Sequence, residues 1–188
     1  MADDRMPTDD EISAAVRGFM NRRKYALFDL QILASLPDDE IEWAIQEFVF
    51  DRTGGDFSRT DAVLNDLSAG FNAVYTTLHV EAEVCNGGFN QYFWNSEGRL
   101  AARAVEGFRH IGAPEYADLM QRAIACWESE HASTEPLRET GTLEAFRESY
   151  EHTKLGELDR EFYELLKVSD LSQLRVAFIR SHPQEFVT

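Results

Sequence analysis

Apolar residues recur at intervals of three and four along most of the chain, which is the period of a helix with one buried face. Thr8 and Glu11 have the spacing of a capping box, so we predict a helix from about residue 9 to residue 25. A second, short helix follows and carries Leu30 and Leu33. Because alternation with period two is never sustained, the sequence predicts an all-α fold without a sheet.

Proline and glycine residues set the limits of the next helices. Pro37 begins a helix with one apolar face, and this helix is expected to end near Gly54-Gly55, because glycine adds conformational freedom that opposes helix formation. The longest element is predicted from about Thr60 to Cys85, and the turn-forming sequence Asn86-Gly87-Gly88 ends it. We expect this element to be the long central helix of the fold.

The second half of the chain predicts shorter helices with polar breaks between them. A helix after Pro114 runs to about Glu130, since proline is tolerated in a first turn. A polar loop is predicted over residues 131–141, and two helices that Gly156 separates come next. The last helix is predicted over about 170–180, where it stops before a proline.

The length of 188 residues favours one domain over two. We therefore predict a single compact multi-helix domain over residues 37–188, preceded by an N-terminal helical appendage over residues 1–36. No stretch has the length and apolarity of a membrane span or a secretory signal, and the two cysteines form no CxxC pair. These features predict a protein of the reducing cytoplasm.

Acidic residues dominate the charge of the chain. It carries 34 Asp and Glu against 18 Lys and Arg, which gives a formal net charge of -16. Such an excess opposes direct binding to nucleic acid and to anionic membranes. The partner that the charge predicts is a basic protein.

Residue patterns typical of catalysis or metal binding are mostly missing from the sequence. Glu128-x-x-His131 matches one element of a di-iron helix bundle, but that chemistry needs a second copy, which the chain lacks. Cys85 is predicted at a helix C-terminus, where the helix dipole opposes a thiolate, so we interpret Cys85 and Cys126 as core residues. The sequence predicts no enzyme, no catalytic or metal-binding residue and no cofactor.

The most distinctive stretch, residues 84–98, mixes turn-forming residues, amides and aromatic residues. It predicts a corner at which the central helix ends, a short aromatic piece from Phe89 to Trp94 returns to the core, and the amides satisfy backbone groups. Alternatively, Gln91 and Asn95 line a small-molecule or enzymatic pocket. The residues to which we assign a structural role are Asn86, Gly87, Gly88, Phe89, Gln91, Tyr92, Phe93, Asn95, Ser96 and Gly98.

This stretch resembles the NGGFxQYFxNSxG signature of a bacterial family of acidic DNA-mimic proteins. Residues 158–163 and 178–186 resemble the closing segments of that family, so the resemblance covers about residue 40 to the end. The resemblance implies an all-helical domain, a homodimer, and inhibition of DNA-binding proteins by a surface that imitates duplex phosphates. It does not transfer a partner, and it assigns no carboxylate of this chain to the mimic surface.

The acidic excess is concentrated over residues 37–68, which contain nine acids and two bases. On the helix after Pro37, Glu40, Glu47 and Asp51 fall in a narrow sector opposite the apolar face. Helical neighbours lie about 5 to 6 Å apart, which is close to the spacing of phosphates along a strand. The acidic face that we predict to bind the partner consists of Asp38, Asp39, Glu40, Glu42, Glu47, Asp51, Asp56, Asp61 and Asp66.

Together these features predict an acidic DNA-mimic protein that binds the DNA-binding face of a basic bacterial protein and blocks DNA binding. A helix-turn-helix transcriptional regulator is the partner type that we favour. An immunity-type inhibitor of a toxin or nuclease would use the same acidic face and stays an alternative. A row of acids on a surface helix is also typical of a solvated face that keeps a protein in solution.

Overall fold

The computed structural model describes residues 24–188, and over this range it contains nine α-helices and no strand, which confirms the all-α prediction. The helices are α1 Leu30–Ser35, α2 Asp38–Thr53, α3 Thr60–Asn65, α4 Ala69–Ser96, α5 Ala101–His110, α6 Pro114–Thr140, α7 Leu143–Ser149, α8 Leu155–Val168 and α9 Leu171–Ser181. Three 3-10 turns cover Phe57–Arg59, Tyr150–His152 and Pro183–Phe186. The helix predicted over residues 9–25 falls almost entirely outside the described residues.

One hydrophobic core joins the helices, and α4 is its centre. α2, α5 and α8 pack against α4, and α6 packs against α5, α7 and α8. The described part of the predicted appendage belongs to the same core, because Phe28 and Leu33 are buried in it. Phe28 and Thr188 exchange two hydrogen bonds of 3.0 Å, which ties this segment to the C-terminus. The boundary between appendage and domain stays a prediction, since residues 1–23 are not described.

α2 has the limits that proline and glycine predict. Pro37 precedes its first turn, and Gly54 follows its last residue with a φ of 67°. The predicted apolar face is buried, because its four residues lie in the core cluster. These residues are Ile41, Ala44, Ile45 and Phe48.

The predicted central helix differs from the observed one at both ends. It does not run unbroken from Thr60, because the chain turns between α3 and α4. The Asn72 amide donates to the backbone oxygens of Leu64 at 2.8 Å and Leu67 at 3.3 Å, which satisfies carbonyls that the break exposes. The helix also continues past Gly87 and Gly88, whose non-helical backbone makes a kink where we predicted an end.

The polar loop predicted over residues 131–141 is wrong, since α6 continues to Thr140 with Pro136 inside it. A tertiary contact stabilises this extension, because Arg138 forms an ion pair with Glu97 at 3.1 Å, and it also pairs locally with Glu135 at 2.6 Å. Gly156 does not separate two helices either, because it is the second residue of α8.

The last predicted helix corresponds to α9. Asp170 caps its N-terminus, where the carboxylate accepts from the Gln173 backbone N–H at 3.0 Å. None of the helices in residues 24–188 combines the length and the apolarity that crossing a bilayer requires.

Candidate functional site

The outer side of α2 presents carboxylates that form no ion pair with a described cation, although Lys24, which pairs with Asp51, also lies within electrostatic reach of Glu47. Asp39 and Glu40 are exposed in its first turn, where the positive end of the helix dipole favours negative charge. Glu47 is half-buried and lies about two turns further along the same side as Glu40. Within residues 24–188, none of the three takes part in an ion pair. They are the carboxylates of α2 that are available to a cationic partner.

Three other acids of the predicted face are paired with cations from elsewhere in the chain. Asp38 accepts a hydrogen bond of 2.7 Å from Arg180, a residue of α9. Asp51 accepts from Lys24 at 2.5 Å and Asp61 from Arg103 at 3.1 Å. Because these pairs are partly exposed, water and salt reduce their strength. A basic partner that uses these acids must compete with the protein's own cations.

Glu42 does not belong to the exposed face, so this part of the prediction is wrong. It is only 6% exposed and accepts from Arg175 Nε at 2.7 Å and from the Ser172 hydroxyl at 2.8 Å. Arg175, itself 1% exposed, also binds Glu81 at 2.5 Å. Glu42 therefore connects α2 to α4 and α9 inside the protein.

The last two predicted acids follow α2 in the chain. Asp56 caps the first 3-10 turn, accepting from the Ser58 backbone N–H at 2.9 Å and from the Ser58 hydroxyl at 2.7 Å. These hydrogen bonds hold the pKa of Asp56 below its usual value. Asp66 is exposed just after α3 and forms no ion pair with any described residue. Asp66 is thus a free carboxylate, whereas Asp56 already has a structural role.

The kink of α4 is built by two glycines and a carboxylate from α8. Gly88 has a φ of 72°, and a side chain there would overlap the Asp159 carboxylate. Asp159 accepts from the Phe89 backbone N–H at 2.7 Å and so caps the second half of α4. Its partial burial raises the pKa of Asp159. The Tyr150 hydroxyl donates to the Gly87 carbonyl at 2.7 Å, which satisfies a backbone group freed by the kink.

A second polar cluster lies across the kink. The Gln91 and Asn95 amides donate to the same oxygen of Glu83, Oε2, at 3.0 and 2.8 Å. Gln91 folds back against Gly87, whose lack of a side chain leaves the space. The amides therefore bind a carboxylate, and the expectation that they satisfy backbone groups is wrong. Sequence reasoning missed Glu83, although it is one of only three acids in a stretch, residues 69–98, that has no base.

His79 and Tyr92 complete this arrangement, which we call the Glu83 cluster: Glu83, Gln91, Asn95, His79 and Tyr92. The His79 and Tyr92 ring centroids are 5.7 Å apart. Burial lowers the pKa of His79 and raises the pKa of Tyr92, so both side chains are neutral at pH 7. The cluster therefore holds one carboxylate among neutral polar groups.

The two cysteines occupy different environments. Cys85 is exposed, so its predicted core position is wrong. Partial desolvation and the nearby Glu81 raise the pKa of the Cys85 thiol, which keeps it protonated at neutral pH. Cys126 packs partly against the core and donates to Glu130 at 3.4 Å.

Glu128 and His131 are both exposed on α6. In the described part of the chain, no three His, Cys, Asp or Glu side chains are grouped as a metal site would need.

A family model described as DMP19-like protein matches residues 65–182, which contain Asp66, the kink of α4 and the Glu83 cluster but not α2. No curated protein and no solved structure matches the chain.

Proposed function

Because the chain belongs to the DMP19-like protein family, a family of DNA mimics, we propose that it occupies the DNA-binding face of a basic bacterial protein and blocks DNA binding. A helix-turn-helix transcriptional regulator is the partner type that we favour. The observation that carries this proposal is the outer side of α2, where Asp39, Glu40 and Glu47 form no ion pair with any described residue. The homodimer that the family resemblance implies stays a prediction.

The length and charge of α2 suit this role. Its 16 residues span about 24 Å, which is long enough to lie along a DNA-binding groove. Glu40 and Glu47 are about 10 Å apart along the helix axis. Basic residues that normally contact phosphates would meet carboxylates at this surface, and the net charge of -16 would accelerate their approach.

The paired acids contribute less than the free ones. To bind Asp38 or Asp61, a partner must displace Arg180 or Arg103. Exchanging one exposed ion pair for another adds little binding free energy, since each such pair contributes about 0 to 1 kcal/mol. We therefore assign most of the binding to Asp39, Glu40 and Glu47, with Asp66 as an additional contact.

Neutralising α2 tests the proposal. The triple variant Asp39→Asn, Glu40→Gln and Glu47→Gln keeps the size of each side chain and removes three charges. The wild-type protein is first used to retain its DNA-binding partner from a host lysate. We then expect the variant to displace duplex DNA from that partner at least tenfold less effectively than the wild type does. A mobility-shift competition assay measures this loss.

A matched variant controls for net charge. Glu144→Gln, Glu148→Gln and Glu151→Gln remove the same number of exposed carboxylates from α7 and the turn after it. We expect this variant to compete with DNA as the wild type does. If both triple variants lose the same affinity, net charge and not α2 attracts the partner. If neither loses affinity, α2 is not the mimic surface.

The identity of the retained protein distinguishes the immunity-type alternative from the proposed function. An inhibitor of a toxin or nuclease would retain an enzyme, and adding the wild-type protein would abolish its catalytic activity. A mimic directed at a regulator would instead release that regulator from its operator without any effect on catalysis. Both measurements use the same purified complex.

A further inference from the structure

A cavity of about 490 Å³ lies where the end of α2, α3, the start of α4 and residues 187–188 meet. Arg52 and Arg59 line it, together with apolar residues that include Val63, Leu67 and Val187. Its volume falls within the range of about 300 to 1,000 Å³ that is typical of small-molecule sites. The cavity therefore combines cationic side chains with an apolar wall.

Arg52 is a cation that the protein's own acids leave unpaired. It forms no ion pair with any described residue, although the chain contains 34 acids and 18 bases. Its guanidinium stacks on the Phe48 ring, 3.5 Å from the ring centroid, and makes only a long hydrogen bond of 3.5 Å to the Ala26 carbonyl. Partial loss of water lowers the pKa of Arg52. An anion bound beside Arg52 would offset this cost of desolvation.

Arg59 is held at the same cavity by the end of α2. Its Nη1 donates to the Thr53 carbonyl at 3.2 Å, which uses one of the five N–H donors of the guanidinium. Asp56 lies within electrostatic reach of Arg59 but forms no ion pair with it. Asp66 also lines the cavity and pairs with neither arginine. The charged side chains that line the cavity are therefore two cations and one acid.

A guanidinium presents its donors in a planar fork that matches two oxygens of a phosphate group. Two arginines therefore suit a phosphate ester with two negative charges. We propose that this cavity binds a small organic phosphate, whose oxygens accept from Arg52 and Arg59 and whose organic group packs against Val63 and Leu67. The proposal is independent of the basic partner, because it uses no carboxylate of the outer side of α2.

Calorimetric titration with phenyl phosphate tests the site in the full-length protein, in a buffer of low salt without phosphate. We expect saturable binding to one site, and a higher melting temperature in the presence of the probe. Inorganic phosphate lacks the organic group and benzyl alcohol lacks the charge, so each should bind at least about tenfold more weakly. If inorganic phosphate binds as tightly as phenyl phosphate, the apolar wall contacts no ligand and the proposal is overturned.

The double variant Arg52→Met and Arg59→Met keeps much of the apolar part of both side chains and removes their charges. Its affinity for phenyl phosphate should fall at least about tenfold. Arg99→Met is the matched control, because Arg99 is also exposed, forms no ion pair and lies over an aromatic ring, that of Phe57, but it does not line the cavity. The control should bind the probe as the wild type does.

Asp66→Asn separates ligand binding from a role in folding. It removes the acid from the cavity, so it should strengthen binding of phenyl phosphate several-fold, and misfolding cannot produce such a gain. The proposal is overturned if the double arginine variant binds the probe like the wild type, if Arg99→Met loses as much affinity, or if Asp66→Asn binds more weakly.

Discussion

At Gly88, backbone geometry and lack of space both exclude a side chain. Its φ of 72° lies in the region that favours glycine, and the Asp159 carboxylate occupies the space that an added Cβ would take. This close approach allows Asp159 to reach the Phe89 backbone N–H and to cap the second half of α4. Gly88 therefore determines both the kink and the capping contact between α4 and α8.

Gly88→Ala should destabilise the protein by about 3 kcal/mol, because it combines backbone strain with displacement of Asp159. Gly112→Ala is the matched control: Gly112 also has a positive φ, of 79°, but an added side chain there meets nothing within 4 Å. Strain alone should cost about 1 kcal/mol in that variant. Urea unfolding of both variants measures the difference in their free energies of unfolding. Equal losses of stability would show that the contact with Asp159 is unimportant.

Whether a single acid is free or paired depends on residues far away in the sequence. Glu42 and Arg175 are separated by 133 residues, and Asp38 and Arg180 by 142. The sequence predicted where acids are concentrated, since composition is local. It could not predict which of them keep a free carboxylate, because the paired acids take their cations from other elements of the fold, and those of Asp38 and Glu42 come from a helix at the other end of the chain.

Among the elements, α9 positions the acidic helix. Arg175 reaches Glu42 in the second turn of α2, and Arg180 donates to Asp38 at its start. Arg180 also donates to the carbonyls of Leu33 at 2.6 Å and Leu36 at 2.5 Å, which satisfies the C-terminus of α1. α9 therefore fixes the position of α2, although none of the free acids of the predicted face lies on α9.

Arg175→Met should destabilise the protein by about 3 to 5 kcal/mol, because it leaves Glu42 buried without its cation. The double variant Arg175→Met and Glu42→Gln should recover part of this loss, since the buried charge is then removed. Denaturant unfolding measures all three proteins.

Arg122→Met is the control for this prediction, because it breaks a pair with Glu161 in which both side chains are about half exposed. The free energy of unfolding of Arg122→Met should fall by less than about 1 kcal/mol. Equal losses in Arg122→Met and Arg175→Met would contradict a special role for the buried pair.

Elements with local signals were predicted correctly, whereas those defined by tertiary contacts were not. Pro37 and Gly54 mark the limits of α2, and Asp170 caps α9, so short-range chemistry is sufficient there. The break before α4 was missed, because Leu67 and Phe71 keep helical spacing across it. The C-terminal part of α6 was missed since its stabilising ion pair reaches back to Glu97.

The whole molecule carries an acidic excess that no single ion pair removes. The net charge of -16 makes the folded chain repel itself, and folding brings these charges closer together. The same excess attracts a basic partner. Salt therefore acts on the free protein and on the complex in opposite directions, since it screens repulsion in one and attraction in the other.

Raising NaCl from 10 to 300 mM should increase the midpoint of thermal unfolding of the free protein by about 2 to 4 °C, the equivalent of about 1 kcal/mol. The affinity for the basic partner should fall by about tenfold or more over the same range. Calorimetry and binding isotherms in the same buffers measure the two effects. The variant with Asp39→Asn, Glu40→Gln and Glu47→Gln carries three fewer charges and should respond less in both assays. If salt strengthens the complex, electrostatic mimicry is not what attracts the partner. If salt destabilises the free protein, repulsion among its acids does not govern its stability.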